Sequence, residues 1–253
     1  MSRTFADRLH AGRVLAGRVA ERTLLDPIVL ALPRGGVCVA QPVAEALGAP
    51  LEVLVARKLG APMQPELALG AIAEGGPRVV DDHLRTSLHV SARALHDIEI
   101  AERAELKRRL RRYRAGRPLP GLTGRDVVLV DDGLATGLTV LASLLALRAH
   151  HPRSVLVAVP VGPPSTIAQL APLADEVLCL EQPEPFGSVG SWYDEFPAVS
   201  DREVVRLLAR RADELAPRAW RRPRRGPNEG WTSVRRRPGA GRREAGGEQP
   251  IGH

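Results

Sequence analysis

The sequence predicts an α/β fold, a parallel central sheet flanked by helices, with a small C-terminal hood and a basic tail. Three observations carry this. Short continuous apolar runs at residues 28–32, 127–130 and 155–161 are what strands buried on both faces require. Stretches with helical apolar spacing alternate with those runs, which implies parallel strands joined by crossover helices. Three strand ends carry unusual residues: Pro33-Arg34-Gly35-Gly36, Arg57-Lys58 and the segment from Asp131 to Thr139. In open parallel sheets, ligands bind at the carboxyl ends of the strands.

Taken in order, residues 1–25 read as an opening helix, with Phe5, Leu9, Val14, Leu15 and Val19 at helical spacing and Pro27 just beyond. The first strand follows and stops at Pro33. A helix over about 37–47 closes at Gly48, and residues 51–56 form a second strand, ended by Arg57-Lys58. Residues 59–76 are rich in Gly, Ala and Pro, with a weak strand at 67–73, and residues 78–80 can form another. Residues 91–114 make a long amphipathic helix, supported by Glu99–Arg103 and Glu105–Arg109 at i, i+4. Residues 127–130 are the clearest strand. A helix at about 139–149, a strand at 155–161, a short helix near 165–170 and a last strand at 176–180 complete the pattern. Asp201 is placed as the N-cap of a final helix reaching about 215. The expected organisation is one domain over 1–216, its hood at about 182–197, and a disordered Arg/Gly/Pro-rich tail over 217–253.

Composition excludes several classes. No apolar run is long enough to span a bilayer, and the N-terminus lacks the apolar stretch of a secretory signal, so a cytoplasmic location is expected. Cys38 and Cys179 lie in apolar segments without metal-ligand spacing and read as buried free thiols. The net charge of +7 resides in residues 218–253, which hold ten arginines and three acids; of 36 basic and 29 acidic residues, 26 of each remain elsewhere. The body is therefore neutral, and a nucleic acid could be met only through the tail.

The chemistry concentrates in Val127-Val128-Leu129-Val130-Asp131-Asp132-Gly133-Leu134-Ala135-Thr136-Gly137-Leu138-Thr139. A buried strand delivers two adjacent carboxylates to its tip. A loop of small residues follows, then a helix start. Backbone N–H groups, threonine hydroxyls and the helix dipole suit a phosphate monoester. The carboxylates suit vicinal hydroxyls or a hard metal ion. A phosphate site beside a diol site describes a ribose 5-phosphate.

Over these thirteen positions the chain resembles the binding motif for 5-phosphoribosyl-1-pyrophosphate (PRPP) of the type I phosphoribosyltransferases. The resemblance implies transfer of the phosphoribosyl group to a small-molecule acceptor, a nitrogenous base, with release of pyrophosphate. It implies Mg²⁺ as cofactor and a homodimer. Asp131 and Asp132 would hold the ribose hydroxyls, directly or through Mg²⁺, and the loop from Ala135 to Thr139 the 5-phosphate. Leu32-Pro33-Arg34-Gly35-Gly36 falls where the family places its pyrophosphate loop, with Arg34 as a fixed cation and a cis peptide expected at Pro33–Arg34. Arg57 or Lys58 would contact pyrophosphate, and residues 59–76 would include a mobile lid. The aromatic cluster after the last strand is similar to the base pocket of hypoxanthine-guanine enzymes: Phe186 or Trp192 would stack on a flat acceptor beside Val189, and Asp194 would accept its N–H groups.

Two departures weaken a hypoxanthine or guanine assignment. Ala135 occupies the loop position where the purine-salvage enzymes carry an acid, and Pro160-Val161-Gly162-Pro163-Pro164 lacks the lysine that several of them use to read a base. Two other readings compete with the enzyme. One is a PRPP-sensing regulator that contacts nucleic acid through the tail; the other is a scaffold that keeps the fold and no activity.

Overall fold

Five parallel strands form the central sheet of the computed structural model, which describes residues 5–216. They are β1 Ile28–Ala31, β2 Leu51–Val53, β6 Asp126–Val130, β7 Ser154–Val161 and β8 Glu176–Glu181. Their order across the sheet is β2-β1-β6-β7-β8. Alternate side chains serve two cores. Val29, Ala31, Val128 and Val130 face α1 (Arg8–Val19), α2 (Gly35–Ala46) and α7 (Asp201–Leu215). Ile28, Leu30, Val127 and Leu129 face α5 (Leu138–Arg148) and α6 (Pro164–Leu170). Burying each of these Val, Leu and Ile side chains contributes about 1.5–3 kcal/mol, which is why strands between two helical layers read as unbroken apolar runs. Helices α1 and α2 pack closely because Gly12 has no side chain: a Cβ there would lie 2.5 Å from the Val39 carbonyl oxygen.

The register places the chemistry. Ala31 pairs with Val130, so β1 and β6 end side by side and present Leu32–Gly36 and Asp131 onward at one sheet edge. Asp126 anchors the other end of β6, accepting hydrogen bonds from Leu25 N (2.6 Å), Ser154 Oγ (2.6 Å) and Arg153.

The segment after β2 differs from expectation. β2 ends at Val53, and Arg57-Lys58 lie inside a further strand, β3 (Ala56–Ala61). With β4 (Gln64–Ala73) and β5 (Arg78–Val80) it forms a separate antiparallel sheet. Residues 59–76 thus fall mostly in a β-hairpin. Its glycines serve strand contact: a Cβ on Gly60 would meet the Pro65 carbonyl oxygen at 2.4 Å, and one on Gly70 the Val79 carbonyl oxygen at 2.3 Å. Leu59, Leu69 and Ile72 bury into the core.

The remaining differences are local. The first helix spans only Arg8–Val19, capped by Asp7, whose carboxylate accepts from His10 N. A short helix α3 (Asp82–Ser87) was not anticipated; it buries no residue and so leaves no apolar period. Ser91 caps α4 (Ala92–Arg114). The cap of α7 is Ser200 rather than Asp201, which frees Asp201 to accept from Tyr113 Oη at 2.6 Å and to pair with Arg108 at 2.9 Å. The expected tail, residues 217–253, lies outside the described residues. No described helix is long and apolar enough to cross a membrane.

Cys38 and Cys179 are free and half-buried. Burial pushes the Cys38 thiol up to about 11 and the Cys179 thiol up to about 12. Because the thiolate is the nucleophile, alkylation of Cys38 at pH 8 is expected to run about a hundredfold slower in the folded protein than in urea. Mass spectrometry of iodoacetamide time courses reads this directly, and equal rates would contradict it.

Candidate active site

The site is built where β1 and β6 end. Past Val130, Asp131 and Asp132 leave the sheet, and the Asp132 N–H donates to Asp131 Oδ1 at 2.9 Å. Leu134 N–H donates to the Val161 carbonyl at 2.8 Å and Thr166 Oγ1 to the Ala135 carbonyl at 2.7 Å, so neighbouring β7 and α6 set the loop's path. Gly137, at φ +70°, turns the chain into α5, a conformation glycine adopts without a Cβ clash. The loop and the α5 N-terminus then line a cleft of about 220 Å³. Asp131, Gly133, Leu134, Ala135, Thr136, Gly137 and Thr139 line it on one side, Lys58 and Ala68 of the hairpin and Val189 of the hood on the others.

The second loop packs directly against the acids. The Pro33–Arg34 peptide is cis, as expected from the sequence. A Cβ on Gly35 would fall 1.8 Å from Asp132 Oδ2, and one on Gly36 would fall 2.9 Å from both the Asp131 Cα and the Val130 carbonyl oxygen. The Gly36 obstacle is backbone, which cannot rotate away. Gly36→Ala is therefore expected to separate the two loops, lowering the thermal midpoint and losing ligand binding together. An alanine variant with unchanged midpoint and affinity would contradict this packing.

The two acids are not equivalent. Asp132 accepts from Arg8 Nε at 2.7 Å, and its backbone carbonyl accepts from Tyr193 Oη at 2.6 Å. Arg8 also donates to the Pro197 carbonyl at 2.7 Å and lies over the Phe196 ring, 3.6 Å from its centroid. Asp132 thus turns toward Arg8 rather than lining the cleft. Asp131 lines it, and its carboxyl is pushed well above the ordinary range, first by burial and then by the neighbouring Asp132 charge, with Arg8 opposing. Such a group is relieved by a cation or by hydroxyl donors that favour its ionised form. A hard divalent cation fits here: no cluster of three or more potential metal ligands occurs among the described residues, so it would take the rest of its shell from water and ligand oxygens, as Mg²⁺ commonly does.

Several predicted residues stand apart from the cleft. Arg34 is exposed, 3.9 Å from Asp201. Arg57 donates to Glu102 of α4 at 2.6 Å, so of the two basic residues only Lys58 lines the cleft. The Leu138 side chain packs into the core. Trp192 Nε1 donates to the Phe186 carbonyl at 3.0 Å, and both rings pack with Phe5 and Tyr193. Asp194 is exposed; its N–H donates to the Phe5 carbonyl at 2.8 Å. The aromatic cluster is thus tied to the N-terminal segment, and only Val189 of the four acceptor candidates reaches the cleft. Arg8, Tyr193 and Thr166 were missed as site residues, since nothing local in the sequence marks a partner so distant along the chain.

A glycine loop and an acidic strand end converging on one helix N-terminus have a counterpart in sequence: residues 7–190 match the family model described as "Phosphoribosyl transferase domain". The chain belongs to the phosphoribosyl transferase family. A crystal structure of TT1426 from Thermus thermophilus is 44% identical, covers 82% of this chain and 98% of its own, and superposes with a TM-score of 0.67. Two Mycobacterium tuberculosis proteins, named "Putative phosphoribosyl transferase Rv0571c" and "Putative phosphoribosyl transferase MT0597", are each 49% identical over 212 residues. Those residues are 84% of this chain and 48% of theirs, so the chain spans about half the length of the curated relatives it matches. The phosphoribosyl transferase match includes both loops, the hairpin and the start of the hood, and leaves α7 and the tail outside.

Proposed function

We propose that this chain transfers the 5-phosphoribosyl group of PRPP to a nitrogenous acceptor, with release of pyrophosphate, as a Mg²⁺-dependent cytoplasmic enzyme that works as a homodimer. The observation that carries this reading is the cleft in which Asp131 and the N-terminal loop of α5 face Lys58. The loop from Ala135 to Thr139 receives the 5-phosphate, Asp131 takes the ribose hydroxyls, and Asp132 is held beside it by Arg8. Lys58 and the Gly35–Gly36 backbone meet the pyrophosphate, and Arg34 adds its charge once it turns in from its exposed position beside Asp201. Bound Mg²⁺ supplies charge neutralisation of the pyrophosphate and a fixed geometry for it.

Transfer then depends mainly on electrostatics. The bond from ribose C1 to pyrophosphate breaks with its electron pair leaving on oxygen, positive charge builds on the ribose, and the acceptor nitrogen closes the new bond. The Asp131 carboxylate favours that positive charge, while Lys58 and the Gly35–Gly36 backbone favour the departing negative charge. Ala135 offers no general acid or base, so the acceptor must lose its proton without help from this loop. The hairpin from β3 to β4 forms the wall that keeps water from C1.

The test is an assay of pyrophosphate release from PRPP and Mg²⁺ across a panel of purine and pyrimidine bases and other nitrogenous acceptors. One acceptor is expected to give release well above hydrolysis, and Lys58→Ala is expected to lower it about a hundredfold, the effect of removing one charge-stabilising donor. Release no faster than hydrolysis with every acceptor would contradict the reading.

A further inference from the structure

A second charged concavity lies away from this cleft. The last turns of α4, the turn at Glu74–Gly75, the connection at 116–119 and His150 beyond α5 enclose a groove of about 450 Å³. The phosphate loop is at the other end of α5, whose 11 residues span about 16 Å. Lys107, Arg111, Arg114, Arg117 and His150 line the groove against a single carboxylate, Glu74.

That carboxylate is already engaged by Arg114, and both residues are buried. Arg114, only 2% exposed, also carries the one buried side-chain nitrogen or oxygen among the described residues that lacks a hydrogen-bond partner, its Nε. Leaving such a donor unmade is costly unless something else meets it. The side chains of Lys107 and Arg111, both exposed, make no hydrogen bond or ion pair among the described residues. A helix C-terminus attracts cations, and Arg117 Nε does donate to the Arg114 carbonyl at 3.2 Å. Helix capping does not account for the convergence of Lys107 and Arg111 with His150, from another element, on one groove. Glu52 lies near Arg114 and Arg117 but does not line the groove; burial pushes its carboxyl upward, and those two arginines oppose the shift.

We propose that this groove binds a small phosphorylated anion at a site separate from the PRPP cleft. Its volume is that of a small-molecule site. The balanced charge of the body outside the tail argues against a track for a nucleic-acid backbone, which needs an extended basic surface.

The experiment is amide-resolved NMR of the full chain titrated with inorganic pyrophosphate. The Gly75, Gly116 and Arg117 amides are expected to shift saturably, separately from those of the Gly35–Gly36 loop. Lys107→Ala/Arg111→Ala, at two exposed positions, is expected to weaken the groove titration about tenfold or more while leaving the loop titration unchanged, as removal of charge-assisted hydrogen bonds would. Groove shifts that do not saturate, that sodium chloride of equal ionic strength reproduces, or that persist unchanged in the double variant would overturn the site. A response at the groove to a single-stranded oligonucleotide but not to pyrophosphate would overturn the small-anion assignment in favour of a polyanion.

Discussion

Replacing both strand-end acids, Asp131→Asn with Asp132→Asn, is expected to weaken PRPP binding by about a hundredfold or more, because Asp131 loses charge-assisted hydrogen bonds that an amide cannot match and Asp132 loses the Arg8 ion pair that fixes the strand end. The single variants separate the two roles. Asp131 is held in a setting that disfavours its charge, first through burial and then through Asp132. A carboxyl raised above its unfolded value costs stability once the pH exceeds that value, so at neutral pH the neutral amide removes a penalty. Asp131→Asn should therefore keep or raise the thermal midpoint while losing ligand affinity, the trade expected where a site is kept for function rather than stability. Asp132→Asn breaks the ion pair with Arg8 and should lower the midpoint. Thermal unfolding of the three variants with and without PRPP distinguishes them. A fall in midpoint for Asp131→Asn equal to that for Asp132→Asn would contradict the asymmetry.

The second large effect concerns the buried pair Glu74–Arg114. Glu74→Leu leaves a guanidinium that cannot shed its proton in a buried position, and is expected to cost about 3–5 kcal/mol. Arg114→Leu should cost less, since burial already pushes the Glu74 carboxyl upward and a proton can neutralise it. Removing both with leucine should recover most of the loss. Urea unfolding of the three variants measures this. Equal costs for the two single changes would mean that the pair is solvated rather than buried.

What could be read from the sequence was local. Residues 127–139 place strand, acids, small loop and helix start in consecutive positions, so most of the cleft's lining was legible there. The hairpin was not, because Gly60 and Gly70, which allow strand approach at 2.4 and 2.3 Å, look like loop residues when their partners are unknown. Missing β3 also hid which basic residue lines the cleft. Side chains alternate along a strand, so Arg57 and Lys58 must point to opposite sides, one toward Glu102 and the other into the cleft. Arg8 could not be assigned at all: its partner lies 124 positions away. The aromatic cluster was recognised as a unit, but Phe5 from the N-terminus ties most of it into packing, leaving Val189 at the cleft.

The central claim is that the cleft between Asp131, the α5 loop and Lys58 is a PRPP site. Calorimetric titration of PRPP into the protein, with and without Mg²⁺, tests it most directly. Saturable binding at one site per chain, strengthened by Mg²⁺ and lost in the double asparagine variant, is the predicted result. A wild-type protein that binds no PRPP under either condition, or a double variant that binds it as tightly as wild type, would contradict the account.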